Sequence, residues 1–273
     1  MIKGVGSLFR LRRSRYNHGA LMRFMIGVKR RKKTPDPVSF PTPSVFLTRC
    51  DLMPRRPRFA TGNFVYHVLN RAVGRSTLFE KEADYAAFLC VVEEARERVP
   101  MRVLAYCVMP NHWHLVLWPK NDGDLSEYMR WLTVTHTQRW HAAHGTSGSG
   151  ALYQGRFKSF PVQADDHFYT VCRYVERNAL RAKLVRRAEA WRWSSLWQMV
   201  NEEVMVTLHR WPLTRPVDWV ALVNQAQTEA ELGALRNSVK RGSPFGLQVW
   251  QQRSAKRLGL ESTLRPRGRP RKA

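Results

Sequence analysis

The residues best suited to chemistry in this chain lie in the run Met109-Pro110-Asn111-His112-Trp113-His114-Leu115-Val116-Leu117-Trp118. Two histidines two residues apart sit in a β-branched and aromatic segment. A strand has a side-chain period of 2, so His112 and His114 face one side while Trp113 and Leu115 face the other. One face then presents two imidazoles to a divalent metal, and the other anchors the strand in a core. A His-x-His strand alone is a weak motif and needs a partner. One lies about 60 residues on, in His167-Phe168-Tyr169-Thr170-Val171-Cys172-Arg173-Tyr174-Val175-Glu176-Arg177-Asn178. Tyr174 and Asn178 are four apart and share a helical face. Asn178 offers an oxygen to a metal shell, and Tyr174 a nucleophile for a phosphorus held there. On spacing alone, Tyr174 as a core aromatic and Asn178 as a helix cap stay open. Tyr169 and Tyr153 are rival nucleophiles. Tyr169 ranks below Tyr174 because Arg173, not an amide, follows it one turn later.

The elements that must position these groups are legible from periodicity. Asn63–Leu69 reads as a strand bounded by Asn70-Arg71, and 81–99 as a helix with Tyr85, Phe88, Leu89, Val92 and Ala95 on one stripe. A second strand, 102–108, turns through Met109-Pro110-Asn111 into 112–118, making antiparallel neighbours. Asp124 reads as the cap of a helix running to His144, with Glu127 completing a capping box. Its stripe is Leu125, Tyr128, Met129, Leu132, Thr133 and His136. A Gly/Ser loop at 145–150 precedes a short strand on which Arg156 and Lys158 share one face. Asp165-Asp166 caps a helix to about Leu180. Helices are expected again over 229–239 and 248–258, the latter with Val249, Ala255 and Leu258 on one face. The order β-α-β-β-α-β-α predicts an α+β fold, a ferredoxin-like antiparallel sheet covered by helices. A basic N-terminal extension precedes it and a helical, basic C-terminal region follows.

The 273 residues carry 46 Lys and Arg against 21 Asp and Glu, a formal charge of +25. That excess points to a polyanion as partner, most simply nucleic acid. The 44% hydrophobic content suffices for a core. Four widely spaced cysteines without a C-x-x-C pair indicate neither a zinc ribbon nor a disulfide framework and suit a reducing cytoplasm. No apolar run is long enough to cross a bilayer, and no secretory signal is evident. Residues 1–57 read as a disordered basic extension, with Met53 an alternative translation start. Arg267-Gly268-Arg269-Pro270-Arg271 in the tail, 265–273, has the form of an AT-hook for a narrow minor groove.

Four ordered motifs extend the argument: Tyr66-His67-Val68-Leu69-Asn70-Arg71, Met109 to His114, Gly155-Arg156-Phe157-Lys158-Ser159, and Arg173-Tyr174-Val175-Glu176-Arg177-Asn178-Ala179-Leu180-Arg181-Ala182. Together they resemble the IS200-like single-tyrosine HUH transposases, and within them the REP-associated tyrosine transposases. The resemblance covers about 58–196, the catalytic domain it implies, with 197–264 a helical accessory region that includes a candidate DNA-binding unit at 243–264. It implies His112, His114 and Asn178 as ligands of Mg²⁺ or Mn²⁺, and Tyr174 as the nucleophile. Attack by Tyr174 would leave a 5′-phosphotyrosine and a free 3′-hydroxyl, conserving bond energy for rejoining. Many relatives have Asn-Pro where this chain has Asn178-Ala179. The expected partner is single-stranded or hairpin DNA from repeats, met in a bacterial cytoplasm at the nucleoid, by a monomer or a homodimer. Arg71, Arg156, Lys158, Arg177, Arg181, Arg267, Arg269 and Arg271 are the expected DNA contacts. The alternatives are a catalytically silent DNA-binding protein that keeps the fold, and a metal-dependent hydrolase that uses a bound water.

Overall fold

The computed structural model describes residues 60–265. The basic N-terminal extension and the tail arginines Arg267, Arg269 and Arg271 lie outside them. β1 (Val65–Arg71), β2 (Met101–Met109), β3 (His112–Pro119) and β4 (Lys158–Val162) form one antiparallel sheet in the order β2-β3-β1-β4. α1 (Glu82–Arg98) links β1 to β2, and α2 (Asp124–Ala143) links β3 to β4. The fold is the ferredoxin-like α+β arrangement.

Strand alternation divides the side chains between two cores. Tyr66, Val68, Trp113, Leu115 and Leu117 face α1 and α2 and meet their apolar stripes. Val65, Cys107, Met109, Val116 and Phe160 face the other way, onto α3 (Asp166–Glu176). Asp165 caps α3, accepting from the backbone N–H of His167 at 3.0 Å. An irregularity between Val103 and Ala105 shifts the register of β2 on β3, and Leu104 and Ala105 both fall in the second core.

The remaining α-helices of the described residues are α4 (Asn178–Arg181), α5 (Ser195–Asn201), α6 (Trp219–Asn224), α7 (Glu229–Arg241), α8 (Gln248–Leu258) and α9 (Glu261–Leu264). Val206 joins the α1/α2 core, whereas Trp211, Trp219, Val223, Leu232, Leu235 and Phe245 complete the second. The same C-terminal segments cover both sheet edges. His209 N–H donates to Val103 O at 2.8 Å and Val108 N–H to Trp193 O at 2.9 Å, closing β2. Phe245 N–H donates to Pro161 O, and Gln163 N–H to Phe245 O, each at 2.9 Å, closing β4. Unpaired backbone at a sheet edge invites foreign strands, and these bonds remove the invitation. A buried carboxylate fastens the assembly: Glu176 accepts from Ser195 Oγ at 2.5 Å and from Trp219 Nε1 at 2.7 Å.

Several local expectations shift. β1 extends to Arg71, so Asn70 and Arg71 are strand residues, because β1 pairs Asn70 with Trp113 and Arg71 with His112. Gly123, in a left-handed conformation at φ 87°, is the N-cap of α2 in place of Asp124, whose carboxylate accepts from Asn121 N–H at 2.7 Å. β4 begins at Lys158, so Arg156 reaches its position from a loop. Val249 is 59% exposed while Ala255 and Leu258 are buried, because α8 turns Trp250 and its C-terminal half, not Val249, toward the body. None of the described helices is long and apolar enough to cross a membrane.

Candidate active site

The sheet face that bears the two histidines is the one on which α3 lies. This brings residues 60 positions apart into one cleft of about 520 Å³, lined among others by Asn70, Arg71, His112, His114, Arg156, Lys158, Tyr174, Asn178 and Arg181. The rings of His112 and His114 are 5.0 Å apart and nearly perpendicular. Tyr174 stands edge-on to His114 at 5.8 Å. The guanidinium of Arg181 lies 4.1 Å over the Tyr174 ring and donates through Nη2 to Asn178 Oδ1 at 3.0 Å.

Each imidazole is held by one nitrogen and leaves the other for the cleft. His112 Nδ1–H donates to Asn111 Oδ1 at 2.6 Å, and an amide oxygen can only accept, so Nε2 of His112 carries the free lone pair. His114 Nδ1 shares a 2.9 Å hydrogen bond with His67 Nε2. Burial, reinforced by Arg71 and Arg181, brings His112 down to about 3. Burial, then His112, His67, Arg181 and Arg71, holds His114 well below the ordinary histidine range. Both are therefore neutral at physiological pH, the form that ligates metals. Among the described residues no three or more His, Cys, Asp or Glu side chains cluster as a metal site. An ion here would rest on two imidazoles and the second lone pair of Asn178 Oδ1, with the remaining positions open to phosphate oxygens. The residues present fit that role, because hydrogen bonds at Nδ1 are what fix ligating imidazoles in orientation.

The cleft also contains donors without partners. Arg71 Nε, Arg181 Nη1 and Asn178 Nδ2 are buried and make no hydrogen bond. Buried donors are rarely left so, and three in one cationic cleft suit an anion.

Not every expected residue arrives. Arg177 turns away, and its guanidinium donates to the carbonyls of Val223, at 3.0 Å, and Asn224, at the end of α6. The helix breaks at Arg177, which separates α3 from α4 and directs Arg177 and Arg181 to different neighbours. The rival tyrosines also lie elsewhere. Tyr169 donates to Thr214 O at 2.6 Å and packs on Trp211 and Trp219. Tyr153 sits behind the sheet, where its hydroxyl accepts from Trp113 Nε1 at 3.1 Å and meets His136 Nδ1 at 2.6 Å. Burial pushes the Tyr153 phenol up.

Sequence reasoning missed His67, Asn70, Gln154 and Val239. His67 is fully buried, and its cross-strand partner is Val116, two residues from His114 on the same face. The signal was available in the period of β1, where a histidine takes a core-facing position. Val239, which reaches the cleft from α7, left no such signal.

Residues 60–178 match the family model described as "Transposase IS200 like". No curated protein sequence matches the chain. Among solved structures, one described as the REP-associated tyrosine transposase bound to a REP hairpin is 18% identical. It covers 59% of this chain and 93% of its own, with a TM-score of 0.45. A transposase candidate from Deinococcus radiodurans R1 is 16% identical, covering 48% of this chain and 95% of its own, with a TM-score of 0.33. Residues 60–178 are thus similar to the IS200-like transposases.

Proposed function

We propose that the protein cleaves and rejoins single-stranded DNA beside hairpin-forming repeats through a covalent link at Tyr174, as in the REP-associated branch. One observation carries the reading: His112, His114, Asn178 and Tyr174 converge on one cleft whose charged lining is Arg71, Arg156, Lys158 and Arg181. Arg71, Arg156 and Lys158 bind backbone phosphates and place one of them before Tyr174. The phenol oxygen of Tyr174 bonds to phosphorus as the P–O3′ bond breaks. The 5′ end stays on the enzyme and the 3′ oxygen leaves as a hydroxyl. Arg181, over the ring and bonded to Asn178, fixes the attacking side chain in place. His112, His114 and Asn178 would hold a divalent ion, which would supply Lewis-acid polarisation of the scissile phosphate. Because the phosphodiester energy is kept in the phosphotyrosine, rejoining needs no nucleotide cofactor.

Catalysis is assigned to residues 58–196. Residues 197–264 cover the sheet and contribute Val239 to the lining of the cleft, and the basic tail remains the candidate for a groove contact.

The test is incubation of the full chain and a Tyr174→Phe variant with labelled single-stranded DNA carrying a hairpin and Mn²⁺. The parent forms a protein–DNA adduct stable to denaturation, and the variant forms none. An adduct that survives the substitution removes Tyr174 from the role, and cleavage without any adduct favours a hydrolase.

A further inference from the structure

Among the described residues, His67 is a buried polar side chain that touches both His114 and Tyr174. It is fully buried on the central strand β1. Its ring lies nearly parallel to His114 at 5.0 Å and edge-on to Tyr174 at 6.0 Å, with Phe160 at 4.9 Å on another side. Its Nε2 is 2.9 Å from His114 Nδ1, and its own Nδ1 is buried without a partner.

A hydrogen bond between two neutral imidazoles needs one donor and one acceptor, and the choice decides what His114 offers the cleft. If His67 Nε2–H donates, His114 carries its proton on Nε2 and turns an N–H toward the cleft, where no metal can use it. If His114 Nδ1–H donates, its Nε2 lone pair faces the cleft, and His67 must carry its proton on the orphaned Nδ1. We propose that His67 is a positioning residue that accepts the Nδ1–H of His114, fixing the tautomer and ring plane in which His114 Nε2 serves as a ligand. His67 Nδ1 is buried without a partner in either arrangement, so what separates the two is the lone pair that His114 must offer the cleft. His112 is held the same way, by Asn111 Oδ1. The two ligands thus have matched outer partners, one a turn amide and the other a histidine from the neighbouring strand. The inference rests on the metal reading of the site.

Two substitutions separate the hydrogen bond from packing. His67→Phe keeps an aromatic ring against Tyr174 and Phe160 and removes the acceptor. His67→Gln places an amide oxygen near the Nε2 position and removes the ring. Mn²⁺ affinity of the full-length chain, read by electron paramagnetic resonance without DNA, is expected to fall roughly 10- to 100-fold in His67→Phe, the range for lost outer-shell partners. The Gln variant is expected to stay within about threefold of the parent, well inside that range. Phe binding as tightly as the parent, or Gln binding more weakly than Phe, overturns the assignment. If the Phe variant does not fold, the metal-free parent decides: long-range ¹H–¹⁵N correlations should show His114 protonated at Nδ1 and His67 at Nδ1. A proton on His114 Nε2 overturns the inference. A parent that binds no ion overturns the metal reading, and this inference with it. A parent that binds while the variants are indifferent overturns the inference alone.

Discussion

Replacing Tyr153 with Phe tests the assignment of faces across the sheet. The Tyr153 hydroxyl joins two buried groups. Trp113 Nε1 can only donate, so the hydroxyl accepts from it at 3.1 Å and must direct its own hydrogen to His136 Nδ1 at 2.6 Å. His136 is able to accept because burial brings it down to about 3 and keeps it neutral. Deleting the hydroxyl leaves an indole N–H and an imidazole nitrogen buried and unpaired. Each such orphan costs about 1–3 kcal/mol, so the pair costs about 2–6 kcal/mol. Tyr153 is 8% exposed and borders a second pocket, so water entering there would bring the loss toward the lower figure. In a domain of this size 2 kcal/mol lowers the melting temperature by about 4–8 °C. Urea unfolding at pH 7 measures the loss, and adduct formation on the same samples measures the chemistry. The expected result is a clear stability loss with adduct yield retained under conditions where the variant is folded. A stability change below about 0.5 kcal/mol, the scatter of ordinary surface substitutions, refutes the buried network. Loss of the adduct in a folded Tyr153→Phe protein refutes Tyr174 as nucleophile.

Three further outcomes are expected. His67 and His136 both stand near 3, below the ordinary 6.5, so the unfolded chain takes up protons that the folded chain refuses. The stability they contribute is full above pH 6.5 and falls toward pH 3, by about 1.4 kcal/mol per pH unit for each, and a His136→Gln variant followed by urea unfolding at pH 7, 5.5 and 4.5 should lose about one proton's share of that slope. Removing the cation at Arg71 or Lys158 should weaken single-stranded DNA binding across sequences and lower the salt slope by about one, whereas Arg177→Met should leave DNA affinity unchanged and destabilise the fold, because that guanidinium is engaged by α6. Gly62→Ala should destabilise by about 1–3 kcal/mol in urea unfolding, the cost of overpacking, since a Cβ there would sit 2.4 Å from the backbone oxygen of Lys120.

What the sequence determined by itself was everything governed by short-range periodicity. The period of 2 put His112 and His114 on one face and Trp113 on the other, and the structure keeps that division. The period of 3.6 marked the buried stripes of α1 and α2. The order of the strands and helices sufficed for the sheet topology, because a βαββαβ chain with one tight hairpin has few ways to bury both of its helices. Boundaries were less legible: β1 continues through Asn70 and Arg71 because its partner strand does, a cause 40 residues away in sequence. The tertiary structure alone decided which cations serve the cleft. Arg177 and Arg181 look equivalent in sequence, yet the break at Arg177 sends one to α6 and the other over Tyr174. It alone placed His67 against His114, since a diagonal contact between strands depends on their register. It alone brought the C-terminal segments onto the sheet edges, where Phe245 and His209 satisfy backbone groups that no local pattern announces. Periodicity tells a side chain which way to face, whereas long-range packing decides what it meets there.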